Sequence, residues 1–79
     1  MKAKVFVRLK KDVLDPQGKA IQGALESLGY KDIQSVRQGK IIEIELGNSS
    51  REEVQEQVKE MCEKLLANTV IEDYEIEIL

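Results

Sequence analysis

Cys62 is the single thiol of the chain, and no histidine accompanies it. A hydroxyl or thiol nucleophile needs a base beside it, so without His neither a Ser-His nor a Cys-His pair can be built, and the usual general base for neutral pH is missing. Cys62 also falls at helical spacing with Val54, Val58, Met61, Leu65 and Leu66. That stripe favours core packing over a reactive thiol. Carboxylates are abundant, but Glu43, Glu45, Glu75 and Glu77 alternate along strand-like segments, and Glu52, Glu53, Glu56, Glu60 and Glu63 trace the polar side of a helix. A hard-cation site would need such groups to converge with carbonyl oxygens. The glycines at 18, 23, 29, 39 and 47 show no phosphate-cradling spacing. The expectation is therefore no catalytic, metal or cofactor-binding residue in this chain, and an accessory or interaction domain rather than a catalyst.

The elements that position these residues are legible from periodicity. A strand is predicted over Ala3 to Lys10, with Ala3, Val5, Val7 and Leu9 inward and Lys4, Phe6 and Arg8 outward. Asp15 and Pro16 then supply a helix N-cap and the preferred first helical residue. The helix runs to Leu28 with Ala20, Ile21, Ala24, Leu25 and Leu28 on one face, and Gly29 stops it. Gly18 inside that helix costs about 1 kcal/mol relative to alanine, which suggests close approach of something to the backbone. Ile33 to Arg37 and Lys40 to Leu46 read either as two strands joined at Gln38-Gly39 or as one strand bent at Gly39. Ser49 with Glu52 and Ser50 with Glu53 are overlapping capping boxes that open a second helix, and a last strand covers Val70 to Leu79.

The order β-α-β-β-α-β predicts an α+β, two-layer sandwich of ferredoxin-like type, an antiparallel sheet with two helices on one face. Charge fixes the strand neighbours. The outward side of the first strand is basic and those of the Lys40 and Val70 strands are acidic, so the first strand belongs between them. Phe6, Ile41 and Leu79 interrupt the charges on that face, as a sheet-to-sheet dimer contact or as ordinary scattered exposure.

At 79 residues the chain is one domain, 1–79, with 12 basic and 15 acidic residues and a net charge of −3. A domain this small buries only about 60% of its unfolded surface. With no disulfide and no His, oligomerisation is the remaining remedy. The charge argues against nucleic acid. No run reaches the roughly 18 apolar residues of a membrane span and the start has no apolar leader, so a cytoplasmic protein is expected.

Four segments carry a family resemblance: Leu14 to Gly18 (LDPQG), Val36 to Lys40 (VRQGK), Met61 to Asn68 (MCEKLLAN) and Val70 to Tyr74 (VIEDY). In this order and at these separations they resemble PurS, the small subunit of phosphoribosylformylglycinamidine synthase, over essentially the whole chain. Thr69 departs from the proline often found there in the family and makes the last loop less rigid. The resemblance implies the fourth step of de novo purine synthesis. There a glutaminase subunit frees ammonia, and a large synthetase subunit holding ATP and magnesium amidates formylglycinamide ribonucleotide. The small subunit, a dimer or a dimer of dimers, assembles the complex and supports ammonia transfer without catalysing either half reaction. Subunit-contact candidates are Phe6, Gln17, Gly18, Gly39, Lys40, Ile41, Asn68, Glu72 and Asp73. Each also has a local reading: Gly39 relieving a turn, Asn68 capping the second helix in left-handed geometry, Asp73 solvated. A stand-alone ligand-sensing dimer domain of the same fold is the competing function.

Overall fold

The computed structural model describes residues 1–47 and 50–79. Its elements are β1 (Lys2–Leu9), α1 (Pro16–Ser27), β2 (Gly39–Glu45), α2 (Arg51–Met61), continued by a wider π turn over Cys62–Leu66, and β3 (Glu72–Ile78). The sheet order is β2-β1-β3, antiparallel throughout, as the charge pattern requires. Lys4 lies opposite Glu43 on one side and Glu77 on the other. Lys2 reaches Glu43 at 3.3 Å, and Arg8 reaches Glu75 at 3.9 Å. These pairs are exposed, so they specify register more than they stabilise.

Period-2 alternation puts Ala3, Val5 and Val7 on the covered face of β1, where they are buried with Val54, Val58 and Cys62 of the second helix. Ser50 caps α2, its Oγ accepting from Glu53 N at 3.2 Å. The Ser49–Glu52 pattern involves Ser49, outside the described residues. In α1, Asp15 is the N-cap and Pro16 follows it, while Gly29 ends the helix at φ 98°.

The predicted strand over Ile33 to Arg37 does not form, so the order among the described residues is β-α-β-α-β, with three strands. Neither a hairpin nor a bent strand occurs there, because the segment's polar atoms are engaged elsewhere. Gln22 Nε2 donates to Ile33 O at 3.1 Å, Val36 O packs on Gly18, and the Arg37 side chain bonds the β1–α1 loop. The apolar positions of the segment, Ile33 and Val36, are three apart and cannot share one strand face.

Among the described residues, α2 and the π turn that continues it pack on the sheet, α2 against β3 and Cys62 within the core beside Ala3, Val5 and Val7. α1 and the chain following it project outward, and the molecule measures 50 × 24 × 15 Å with a radius of gyration of 16.0 Å. A compact chain of this length has about 12 Å.

Candidate functional site

Asp15 ties two of the sequence segments together. One carboxylate oxygen accepts from Gly18 N at 2.9 Å as the helix cap, and the other accepts from Gln38 N at 2.8 Å, across 23 residues of chain. The side chain is 5% exposed. Its pKa is lowered first by the Gln38 amide, then by the Gly18 amide, with the Arg37 charge helping. Arg37 completes the link from the other direction. Its guanidinium donates to Leu9 O at 3.0 Å, at the end of β1, and to Lys10 O at 2.8 Å and Val13 O at 3.3 Å in the β1–α1 loop.

The same contact explains the helix glycine. A Cβ on Gly18 would lie 2.2 Å from Val36 O and 2.8 Å from Asp15 Oδ2, so the backbone of the 36–40 segment is what approaches it. Gly18 is buried and faces its own chain, whereas neighbouring Gln17 is exposed. Gly39 is constrained likewise, since a Cβ there would meet Val7 O at 2.7 Å.

Beyond this joint opens a groove of about 790 Å³ at the end of the sheet where β1 exits and β2 and β3 begin. Phe6, Gly39, Lys40, Ile41, Glu72 and Asp73 line it. Phe6 and Ile41 face each other across β1 and β2, Ile41 59% exposed. Asp73 is opposite Arg8, and Lys40 opposite Val7. The rim is mixed in charge, with Arg8 and Lys40 against Glu63, Asp73 and Glu75, so it forms no anion cradle.

Asn68 organises the loop at the groove's edge. It donates its own N–H to Glu72 Oε1 at 2.6 Å, accepts from Glu72 N at 2.7 Å and Ile71 N at 3.0 Å, and takes Val70 N on its side-chain oxygen at 3.2 Å. A left-handed Asn68 cap does not occur: among the described residues Asp32 is the non-glycine with positive φ. Most of the candidates thus gather around one groove. Gln17, Gly18 and Asn68 lie outside its lining, the first two joined to it through Asp15 and Gln38 and Asn68 through Glu72.

The chemistry open to this arrangement is binding. Cys62 is fully buried, and burial raises its thiol pKa, with Glu63 adding to the shift. Tyr74 donates its hydroxyl to Glu63 Oε2 at 2.7 Å, and that bond is the main cause of a pKa pushed up to about 12. At neutral pH its proton stays in place. Among the described residues no group of three metal-ligating side chains converges, and no helix is long and apolar enough to cross a membrane. Sequence reasoning missed Arg37, the second partner of Asp15 and the Tyr74–Glu63 pair. All of these residues stand inside the recurring segments, which was their only signal.

Comparison with known proteins places these observations in a family. The family model PurS, phosphoribosylformylglycinamidine (FGAM) synthase, matches residues 2–79. The chain is 57% identical over 77 residues to the PurS subunit of phosphoribosylformylglycinamidine synthase from Bacillus subtilis, covering 98% of this chain and 90% of that one. Among solved structures, PurS of Methanocaldococcus jannaschii, one of the subunits of formylglycinamide ribonucleotide amidotransferase, superposes with a TM-score of 0.85 at 50% identity over 96% of this chain and 92% of that chain. A chain of PurLQS from Thermotoga maritima superposes at 0.88 with 37% identity, covering 99% and 95%.

Proposed function

The chain belongs to the PurS family, and on that premise we propose that it is the noncatalytic small subunit of phosphoribosylformylglycinamidine synthase, assembling the complex and supporting ammonia transfer. It works in the cytoplasm with itself as dimer or dimer of dimers, with a glutaminase subunit, and with a large synthetase subunit that binds ATP and magnesium. The observation that carries this reading is convergence without a reactive group. Arg37 to Lys40 of one segment and Glu72 to Tyr74 of another line one groove, Glu63 of the 61–68 segment borders it, and Asp15 holds it from behind. Its one thiol neighbour is buried and its one phenol is held protonated.

Ammonia passing between two active sites must escape protonation and loss to water. A small domain that seals a joint between subunits serves this by excluding solvent. The groove, with Phe6 and Ile41 as an apolar floor beside Lys40, Asp73 and Glu72, is a surface on which a partner segment can seat.

Co-purification tests the assembly. Mixed with the synthetase and glutaminase subunits of the same organism, the chain is expected to elute with both in one complex, and Lys40→Glu is expected to weaken its retention. Elution of the small chain alone, with the other two unaffected, contradicts the proposal.

A further inference from the structure

The outward face of the sheet has its charges sorted by strand. Ala3, Val5 and Val7 are buried with α2, so by alternation their neighbours on β1 point the other way. β1 then supplies Lys2, Lys4 and Arg8 along the middle of the outward face, β2 supplies Glu43 and Glu45 along one edge, and β3 supplies Asp73, Glu75 and Glu77 along the other. All five carboxylates are exposed. Three cations against five carboxylates leave this face at −2. Lys2 takes Glu43 and Arg8 takes Glu75, while Glu45, Asp73 and Glu77 form no ion pair among the described residues. Between the charged rows Phe6, half-buried, lies opposite Ile41, which is 59% exposed.

Charge and size together decide what can lie on this face. Stacked on a second copy about a two-fold axis through Phe6, the Lys-Arg row would meet itself and carboxylate rows would meet carboxylate rows, which opposes association. Three strands at about 4.8 Å spacing and about 3.3 Å per residue also present only roughly 300 Å². Each partner in a stable complex contributes about 800 Å². A larger occupant of opposite charge meets both conditions. It answers the surplus carboxylates, and it can continue into the groove, which shares Phe6, Arg8, Ile41, Asp73 and Glu75 with this face.

We propose that the outward sheet face docks a basic surface of a non-identical subunit, whose Lys or Arg side chains meet Glu45, Asp73 and Glu77 while an apolar side chain seats on Phe6 and Ile41. The inference rests on the subunit role proposed above and names the chemistry of the partner. Such a contact divides the work. Carboxylates at the rim steer encounter and set orientation, and the apolar centre, once water is excluded from it, slows dissociation.

The test uses the complex reconstituted from the full chain with the synthetase and glutaminase subunits of the same organism. With a photoreactive benzoylphenylalanine in place of Ile41, irradiation is expected to join β2 to a Lys- or Arg-containing peptide of one larger subunit. A cross-link to a second copy of this chain, or none to either larger subunit while all three co-purify, overturns the docking and leaves the subunit role standing. Failure of the three wild-type subunits to co-purify overturns both. Binding kinetics at varied NaCl concentration give a second reading. Glu45→Gln with Glu77→Gln is expected to slow association about tenfold at low salt and to flatten its salt dependence, with dissociation nearly unchanged. Ile41→Ser is expected to speed dissociation and leave association nearly unchanged. Glu52→Gln with Glu56→Gln removes the same charge from exposed positions on α2 and is expected to behave as wild type. Equal slowing by the α2 pair, or wild-type association insensitive to salt, overturns the docking.

Discussion

Asp15 spends both carboxylate oxygens on backbone amides, one local and one distant, and its charge is therefore part of the fold. Because its folded pKa lies below the ordinary 3.8, it stabilises the native state above that value, and the contribution is lost as pH falls through the lowered one. Asp15→Asn is expected to lower the denaturant midpoint at about pH 7, and the gap to wild type is expected to shrink as pH falls below the ordinary 3.8 and through the lowered folded value. A gap that stays constant as pH falls would exclude the ionic role. Tyr74 behaves in the opposite sense. Its folded pKa of about 12 exceeds the ordinary 10, so the Glu63 bond stabilises the protein until pH rises through that range. In an alkaline absorbance titration, Tyr74→Phe should remove the transition near 12, and Glu63→Gln should move it down; a transition that persists in Tyr74→Phe belongs elsewhere. The capping half of Asp15 was legible in the sequence because a cap acts over three residues. The Gln38 half was not, since nothing in local pattern encodes a bond across 23 residues.

At the level of elements, alternation and charge were enough to place three strands. Lys4 between Glu43 and Glu77 is the outcome of that reading, and it is testable. Lys4→Glu puts like charges opposite each other on both sides and is expected to cost on the order of 1 kcal/mol, read from a denaturation curve; no change would mean that register is set elsewhere. α1 was legible from Asp15, Pro16 and Gly29, and its stripe was read correctly as apolar. What the pattern could not tell is where the stripe rests, because periodicity identifies a face and not its cover. Ile33 to Arg37 was misread because its apolar residues are three apart, and because the Arg37 clamp depends on carbonyls 24 to 28 residues away. Gly23 offers a check on α1 itself. Nothing stands within 4 Å of the Cβ it would gain, so Gly23→Ala is expected to stabilise the protein by about 1 kcal/mol, seen as a higher melting temperature. A lower one would show that something outside the chain already fills that space.

The whole molecule has one small core, a projecting helix and a groove on which separate sequence segments meet, a form suited to life between partners. Family membership was legible because those segments keep their order and spacing. Their physical reason became visible only in three dimensions, where Asp15 and Arg37 bind one to the next. The ammonia-transfer role is the central claim, and it separates two activities of one complex. Turnover of the synthetase with its glutaminase should be measured with and without this chain, once with glutamine and once with free ammonium. The account predicts that the chain restores glutamine-dependent turnover and leaves ammonium-dependent turnover nearly unchanged; glutamine-dependent turnover that is the same with and without it would contradict the account.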